Sequence, residues 1–195
     1  MIIGITGGTG SGKTTLLEVA RSLGFRVLDC DAIYHRLLET DPSLTAAIEA
    51  RFPGTVEAGV LQRKKLGAIV FNDPSALQEL NAITHTAILR EVERQLAENT
   101  VIDAVALFES GLDGLCDVTV AVTAPRENRV RWLMARDGIT EAYAQSRINA
   151  QPSDDAYREK CGYVLENNAD KIHFHGKCLA FFQQLGIMKE NQQEE

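Results

Sequence analysis

Ile2-Ile3-Gly4-Ile5-Thr6-Gly7-Gly8-Thr9-Gly10-Ser11-Gly12-Lys13-Thr14 opens the chain. Ile2, Ile3 and Ile5 form a short β-branched run that predicts a buried strand and stops at a glycine cluster. Gly7 to Thr14 then matches G-x-x-x-x-G-K-[ST] at every fixed position. Glycines let the backbone wrap an anion with its N–H groups inward, and the helix that follows presents unpaired N–H groups and the positive end of its dipole. Because the segment joins a strand to a helix, it predicts a site for nucleoside triphosphate phosphates rather than a plain glycine turn. Gly8, Gly10, Ser11 and Gly12 supply the cradle. Lys13 can bridge the β- and γ-phosphates and so act in catalysis, and the Thr14 hydroxyl can ligate Mg²⁺. The loop alone does not choose between a kinase, a GTPase and a motor-type ATPase.

The pattern outward from the loop predicts an α/β fold. Leu16, Leu17, Ala20 and Leu23 have helical spacing up to Gly24, and Phe25 to Leu28 reads as a second strand ending in Asp29-Cys30-Asp31, completing a βαβ unit. Residues 32–95 read as mostly helical, with helix starts at Asp41-Pro42-Ser43 and Asn72-Asp73-Pro74-Ser75. Val101 to Phe108 reads as a third strand, Val118 to Val122 as a fourth and Tyr163 to Leu165 as a fifth. Helices are expected from Arg126 to Ala135, from about Thr140 to Ala150, and from Ile172 to Leu185, with a frayed polar tail from Lys189 to Glu195. Five apolar strands alternating with helices predict a doubly wound parallel sheet of P-loop type, carrying a helical insertion and a helical lid. The division expected within one domain is a nucleotide-binding core of residues 1–31, 96–125 and 160–195, an acceptor-binding insertion of 32–95 and a lid of 126–152.

Composition narrows the function. The 195 residues are 45% hydrophobic and 24% charged, which suits a globular core, and the formal net charge is −7. Duplex binders usually carry a basic balance, so nucleic acid is not the expected partner and a local basic site for a small anion is. Cys30, Cys116, Cys161 and Cys178 form no C-x-x-C pair and read as reduced thiols. No leader pattern precedes the first strand and no apolar run nears membrane-spanning length, so the expected location is the cytoplasm, away from membranes.

Ligands of open parallel sheets sit beyond the carboxyl ends of the strands. Asp29, Asp31 and Glu109 fall there. A kinase needs a group to orient and deprotonate its acceptor, and Asp31 is the candidate, although the same position suits a helix N-cap and both roles can coexist. For Asp29 and Glu109 two roles stay open, a water-mediated hold on Mg²⁺ or structural bonds. Arg126, Arg129, Arg131 and Arg136 lie along one expected helix and Arg147 on the next. Most such arginines are solvated, but Arg136 and Arg147 flank the Asp137-Gly138 turn and suit a lid over ATP. Arg63-Lys64-Lys65 is a basic patch that reads either as a solvated turn or as an aid to an anionic substrate. His85 reads as a surface or half-buried residue, and His173, His175 and Cys178 as incidental rather than a metal site.

Together these segments resemble the dephospho-coenzyme A kinase family from Ile3 to about Asp170. Ile5 through Thr15 is similar to the family's opening loop and Leu28-Asp29-Cys30-Asp31 to its D-A-D segment. Leu61 to Leu66 with Val70-Phe71, Leu80 to His85, and Leu107-Phe108-Glu109-Ser110-Gly111 resemble its later motifs. Arg136-Asp137, Arg147-Ile148 and Gln151 resemble its lid, and Val164 to Asn168 its last strand and turn. The resemblance implies phosphorylation of the ribose 3′-hydroxyl of dephospho-CoA by Mg-ATP. It implies Asp31 as base, Arg147 as a lid arginine, Thr15 with the loop, Asn167 near adenine, and Thr6, Arg63, His85, Leu107 and Glu109 around the acceptor. The chain departs from the family pattern at Thr86, Val105-Ala106, Cys161-Gly162 and Ala169. A kinase for another small hydroxyl acceptor and a nucleotide-dependent switch are the competing readings, and the chain has no N-K-x-D segment of the kind a guanine switch uses.

Overall fold

The computed structural model describes residues 1–187, so the polar tail expected from Lys189 to Glu195 lies outside the described residues. In chain order the elements are β1 (Ile2–Thr6), α1 (Lys13–Ser22), β2 (Arg26–Asp29), α2 (Cys30–Thr40), α3 (Pro42–Arg51), β3 (Val56–Glu57), β4 (Val60–Leu61), α4 (Arg63–Val70), α5 (Pro74–Gln95), β5 (Thr100–Asp103), β6 (Val118–Thr123), α6 (Arg126–Asp137), α7 (Glu141–Asn149), α8 (Asp154–Lys160), β7 (Tyr163–Glu166) and α9 (Lys171–Gln184). One sheet has the order β2-β5-β1-β6-β7, with all neighbours parallel. From β1 the chain winds to β2 and β5 on one side and then to β6 and β7 on the other. The connections therefore diverge at β1 and leave a crevice beyond its carboxyl end.

Strand alternation sorts the core into two layers. Ile3, Ile5, Val101, Val120 and Val122 face α1 and α9, where Leu16, Val19, Phe174 and Phe182 close the packing. Ile102 and Leu28 face the other way, against α2 to α5 and the turn residues Leu107 and Leu112. That layer comes very close to β1 at Gly4, where a β-carbon would stand 2.8 Å from Cys116 Sγ and 2.9 Å from Leu107 Cδ2. A smaller cluster of Val130, Leu133, Ala144 and Ile148 joins α6 to α7.

The structure corrects two sequence expectations and adds a detail to a third. The third strand ends at Asp103, not Phe108; after Ala104 bonds back to Ile5 O, the chain turns, and Ser110 Oγ donates to Ala106 O. Val105 to Phe108 is apolar because it packs as a turn over the sheet end, and an apolar run does not distinguish that from a strand. Residues 32–95 are mostly helical, as expected. They contain the β3–β4 hairpin, whose turn uses Gly59 and the left-handed Ala58. The expectation also lacked α8, which is capped by Ser153 Oγ accepting from Ala156 N–H and begins with Asp154 and Asp155. Among the described residues, no helix is long and apolar enough to cross a membrane.

Candidate active site

Most helices here carry a side-chain cap: Asp29 on α2, Asp41 on α3, Asp73 on α5, Thr140 on α7 and Asp170 on α9. Helix α1, at the phosphate loop, has none. Thr15 N–H donates to Gly12 O at 3.0 Å, and the Lys13 and Thr14 amides ahead of it take no side-chain cap, as the anion-binding motif requires. Gly12 enters the helix at φ 105°, and a β-carbon there would collide with Asn167 Nδ2. Asn167 is buried and donates to Ser11 O at 3.0 Å. It therefore braces the loop from the end of β7, a structural duty that its sequence position did not reveal.

Lys13 Nζ donates to Gly7 O at 2.7 Å and to Gly8 O at 3.4 Å. Burial pushes its pKa down, and the carboxylates of Asp103 and Asp31 oppose that. Two cavities meet at this lysine. The larger, about 960 Å³, runs from the loop and Thr14 and Thr15 past Trp132 and Asn167 to Phe174. The smaller, about 420 Å³, holds Asp29, Asp31, Arg147 and Gln151. Thr9, Lys13, Asp103 and Arg136 line both.

Asp103 was legible in the sequence only as a polar break in an apolar run. The sheet register makes it part of the site, because it pairs with Asp29 on one side and with Ile5 on the other. Burial pushes its carboxyl from 3.8 up to about 6, against the pull of Lys13, and Asp29 and Asp31 add to the rise. A carboxyl raised on folding is a cost in its ionised form. The cost is absent below the unfolded pKa, grows between about 4 and 6, and is constant above. Asp103→Asn is therefore expected to stabilise the nucleotide-free protein at pH 7 by up to about 3 kcal/mol and to have little effect at pH 4. Urea unfolding at the two pH values checks this, and an equal effect at both would reject it.

The second strand does not persist to Asp31; it ends at Asp29 and α2 begins at Cys30. The N-cap is Asp29, whose Oδ1 accepts from Ala32 N–H at 3.0 Å. The capping duty that suited Asp31 thus falls on its neighbour, and Asp31 stands exposed to the smaller cavity. Arg136 and Arg147, the arginines expected in a lid, both grip Asp137, at 2.6 Å each, and Arg147 reaches Thr9 Oγ1 at 3.5 Å. The hydrogen bond from Arg136, then that from Arg147, hold the Asp137 carboxyl down at about 2. Arg129, read as solvated, is 4% exposed: its Nε donates to Thr9 O at 2.9 Å and Nη1 to Asp154 at 2.9 Å.

The model of the Dephospho-CoA kinase family matches residues 1–172 of this chain. This chain belongs to the dephospho-CoA kinase family. A dephospho-CoA kinase of Thermus thermophilus is 38% identical over 171 residues, covering 86% of this chain and 83% of that protein. A crystal structure of a Thermus thermophilus protein superposes with TM-score 0.79 at 35% identity, over 95% of this chain and 97% of that one. The dephospho-CoA kinase structure from Campylobacter jejuni gives TM-score 0.67 at 25% identity, over 96% and 98% of the two chains.

The acceptor-side residues implied by the family resemblance separate into two groups. Arg63 and His85 stand on the insertion: Arg63 Nη2 lies 3.3 Å from His35 Nδ1, and His85 is half-buried on α5 near Glu109. Glu109 pairs with Lys160 at 2.8 Å; burial is the largest single influence and raises its carboxyl, but the Lys160 bond and charge, a backbone hydrogen bond and His85 together leave it below its ordinary value. Thr6 and Leu107 are fully buried, Thr6 Oγ1 donating to Val105 O at 3.1 Å and Leu107 packing in the core against Gly4, and neither lines the two cavities. Thr86, where the family pattern has proline, stays within α5 and bonds back to Ala82 O. Cys178 lies in the core and His173 pairs with Asp170.

Among the described residues, no cluster of three or more His, Cys, Asp or Glu side chains is arranged to hold a metal by itself. The donors near Lys13 are instead the Thr14 hydroxyl and the carboxylates of Asp29, Asp31 and Asp103. Hard oxygen donors too few for a complete shell fit a cation that keeps waters and phosphate oxygens.

Proposed function

We propose that this chain transfers the γ-phosphoryl group of ATP to the ribose 3′-hydroxyl of dephospho-CoA, giving coenzyme A and ADP, the last step of coenzyme A synthesis. The observation that carries the reading is the meeting of two cavities at Lys13, with the uncapped loop helix on one side and Asp31 on the other. A phosphoryl group passing between two bound molecules needs this arrangement, since the chemistry asks the protein mainly for alignment and positive charge.

The roles follow from position. Gly8, Gly10, Ser11, Gly12, Thr14 and Thr15 hold the triphosphate, and Asn167 fixes the loop's far side and borders the base. Asp31 takes the proton of the 3′-hydroxyl as that oxygen attacks the γ-phosphorus and the bond to the ADP oxygen breaks. Lys13, Arg136 and Arg147 stabilise the negative charge on the migrating group. Residues 32–95, with Arg63 and His85, hold the acceptor together with Glu109. A kinase that uses ATP generally needs a divalent metal; here Mg²⁺ would be held by Thr14 and supply charge neutralisation of the phosphates. The partners are these small molecules, with neither nucleic acid nor membrane involved, and the working place is the cytoplasm.

The test is direct. Purified protein with Mg-ATP and dephospho-CoA is expected to yield coenzyme A and ADP in equal amounts. Phosphorylation of another alcohol with none of dephospho-CoA would overturn the reading.

A further inference from the structure

Thr9, at the tip of the phosphate loop, has all three of its polar groups engaged from the lid side. Its N–H donates to Gln151 Oε1 at 2.6 Å, its carbonyl accepts from Arg129 Nε at 2.9 Å, and its hydroxyl lies 3.5 Å from Arg147 Nη2. Arg129 is anchored in turn by Asp154 at the start of α8. The fit is close: a β-carbon at Gly8 would collide with Arg129 Nη2 and force that end of the side chain to shift. That same Nη2 is buried without a partner among the described residues. An orphaned donor on a buried arginine is costly, and burial pushes the Arg129 pKa down despite Asp154. Fold stability is a poor reason to keep such a group.

We infer that Arg129 and Gln151 are positioning residues that clamp the tip of the phosphate loop at Thr9, so that the loop is already shaped before nucleotide arrives. A glycine-rich loop is entropically expensive to order, and a clamp that orders it in advance raises affinity without touching the ligand. The clamp belongs to the nucleotide half of the proposed reaction, and its test needs no acceptor.

Trp132 is the single tryptophan and lines the larger cavity, so its fluorescence reports ADP binding. Gln151→Met keeps the side-chain length and removes the acceptor; it is expected to weaken ADP binding about fivefold, the value of one neutral hydrogen bond. Arg129→Met is expected to weaken it about thirtyfold, the value of the one charged hydrogen bond that holds the Thr9 carbonyl. In Gln151→Met, KM for ATP should rise in step, while the nucleotide-free Tm stays near wild type. A fall in Tm with unchanged ADP affinity in Gln151→Met would reduce the contact to ordinary packing and overturn the clamp. So would an affinity loss confined to Arg129→Met, the variant more exposed to misfolding. A wild-type protein that binds ADP but leaves dephospho-CoA unphosphorylated would reject the proposed reaction alone.

Discussion

Asp31→Asn is expected to lower kcat by about 10³-fold, within the usual span for losing a general base, while ADP affinity changes by less than about twofold. The separation follows from where the side chain stands. Asp31 lines the smaller cavity with Arg147, whereas the loop and Trp132 line the larger one. Folding should be little disturbed, because the helix cap is Asp29 and the exposed Asp31 supplies only a first-turn charge to α2. That charge contributes about 0.3–1 kcal/mol at most. Steady-state turnover with dephospho-CoA, paired with ADP titration on Trp132, measures both quantities. A kcat close to wild type would remove Asp31 from the chemistry.

Lys13→Met should be as severe for turnover and should also spoil binding. Lys13 lies where the two cavities join, so its ammonium can follow the phosphoryl group from donor to acceptor. A preorganised charge at a transferring group commonly accounts for about 10²–10³-fold in kcat. Because the proposed reaction gives the same ammonium a contact with the ground-state phosphates too, KM for ATP should rise as kcat falls, unlike the pattern at Asp31. Stability should move the other way. Burial holds the Lys13 pKa below its ordinary value, so at neutral pH its charge opposes folding, and the methionine variant is expected to unfold at the same or a higher temperature without nucleotide. Turnover within tenfold of wild type, or a large loss of Tm, would contradict this account.

The two variants rest on residues that the linear chain exposes. Lys13 belongs to a motif whose fixed positions lie close together, and Asp31 shortly follows an apolar run that reads as a strand. The three partners that shape the site around them are of another kind. Asp103 joins it through strand register, beside Asp29 on a neighbouring strand. Arg129 sits in a helix of mixed charge that gives no sign of which arginine turns inward, and Asn167 follows a strand end like any turn residue.

From its sequence alone this protein has its phosphate loop, its alternating α/β order and the place of its acidic strand end, because each depends on residues close together along the chain. Only the tertiary structure decided how that loop is held. The bonds that hold it, from Arg129 and Gln151 to Thr9 and from Asn167 to Ser11, span 120, 142 and 156 residues. No local propensity encodes such pairs; they exist because a parallel sheet gathers the carboxyl ends of distant strands into one crevice.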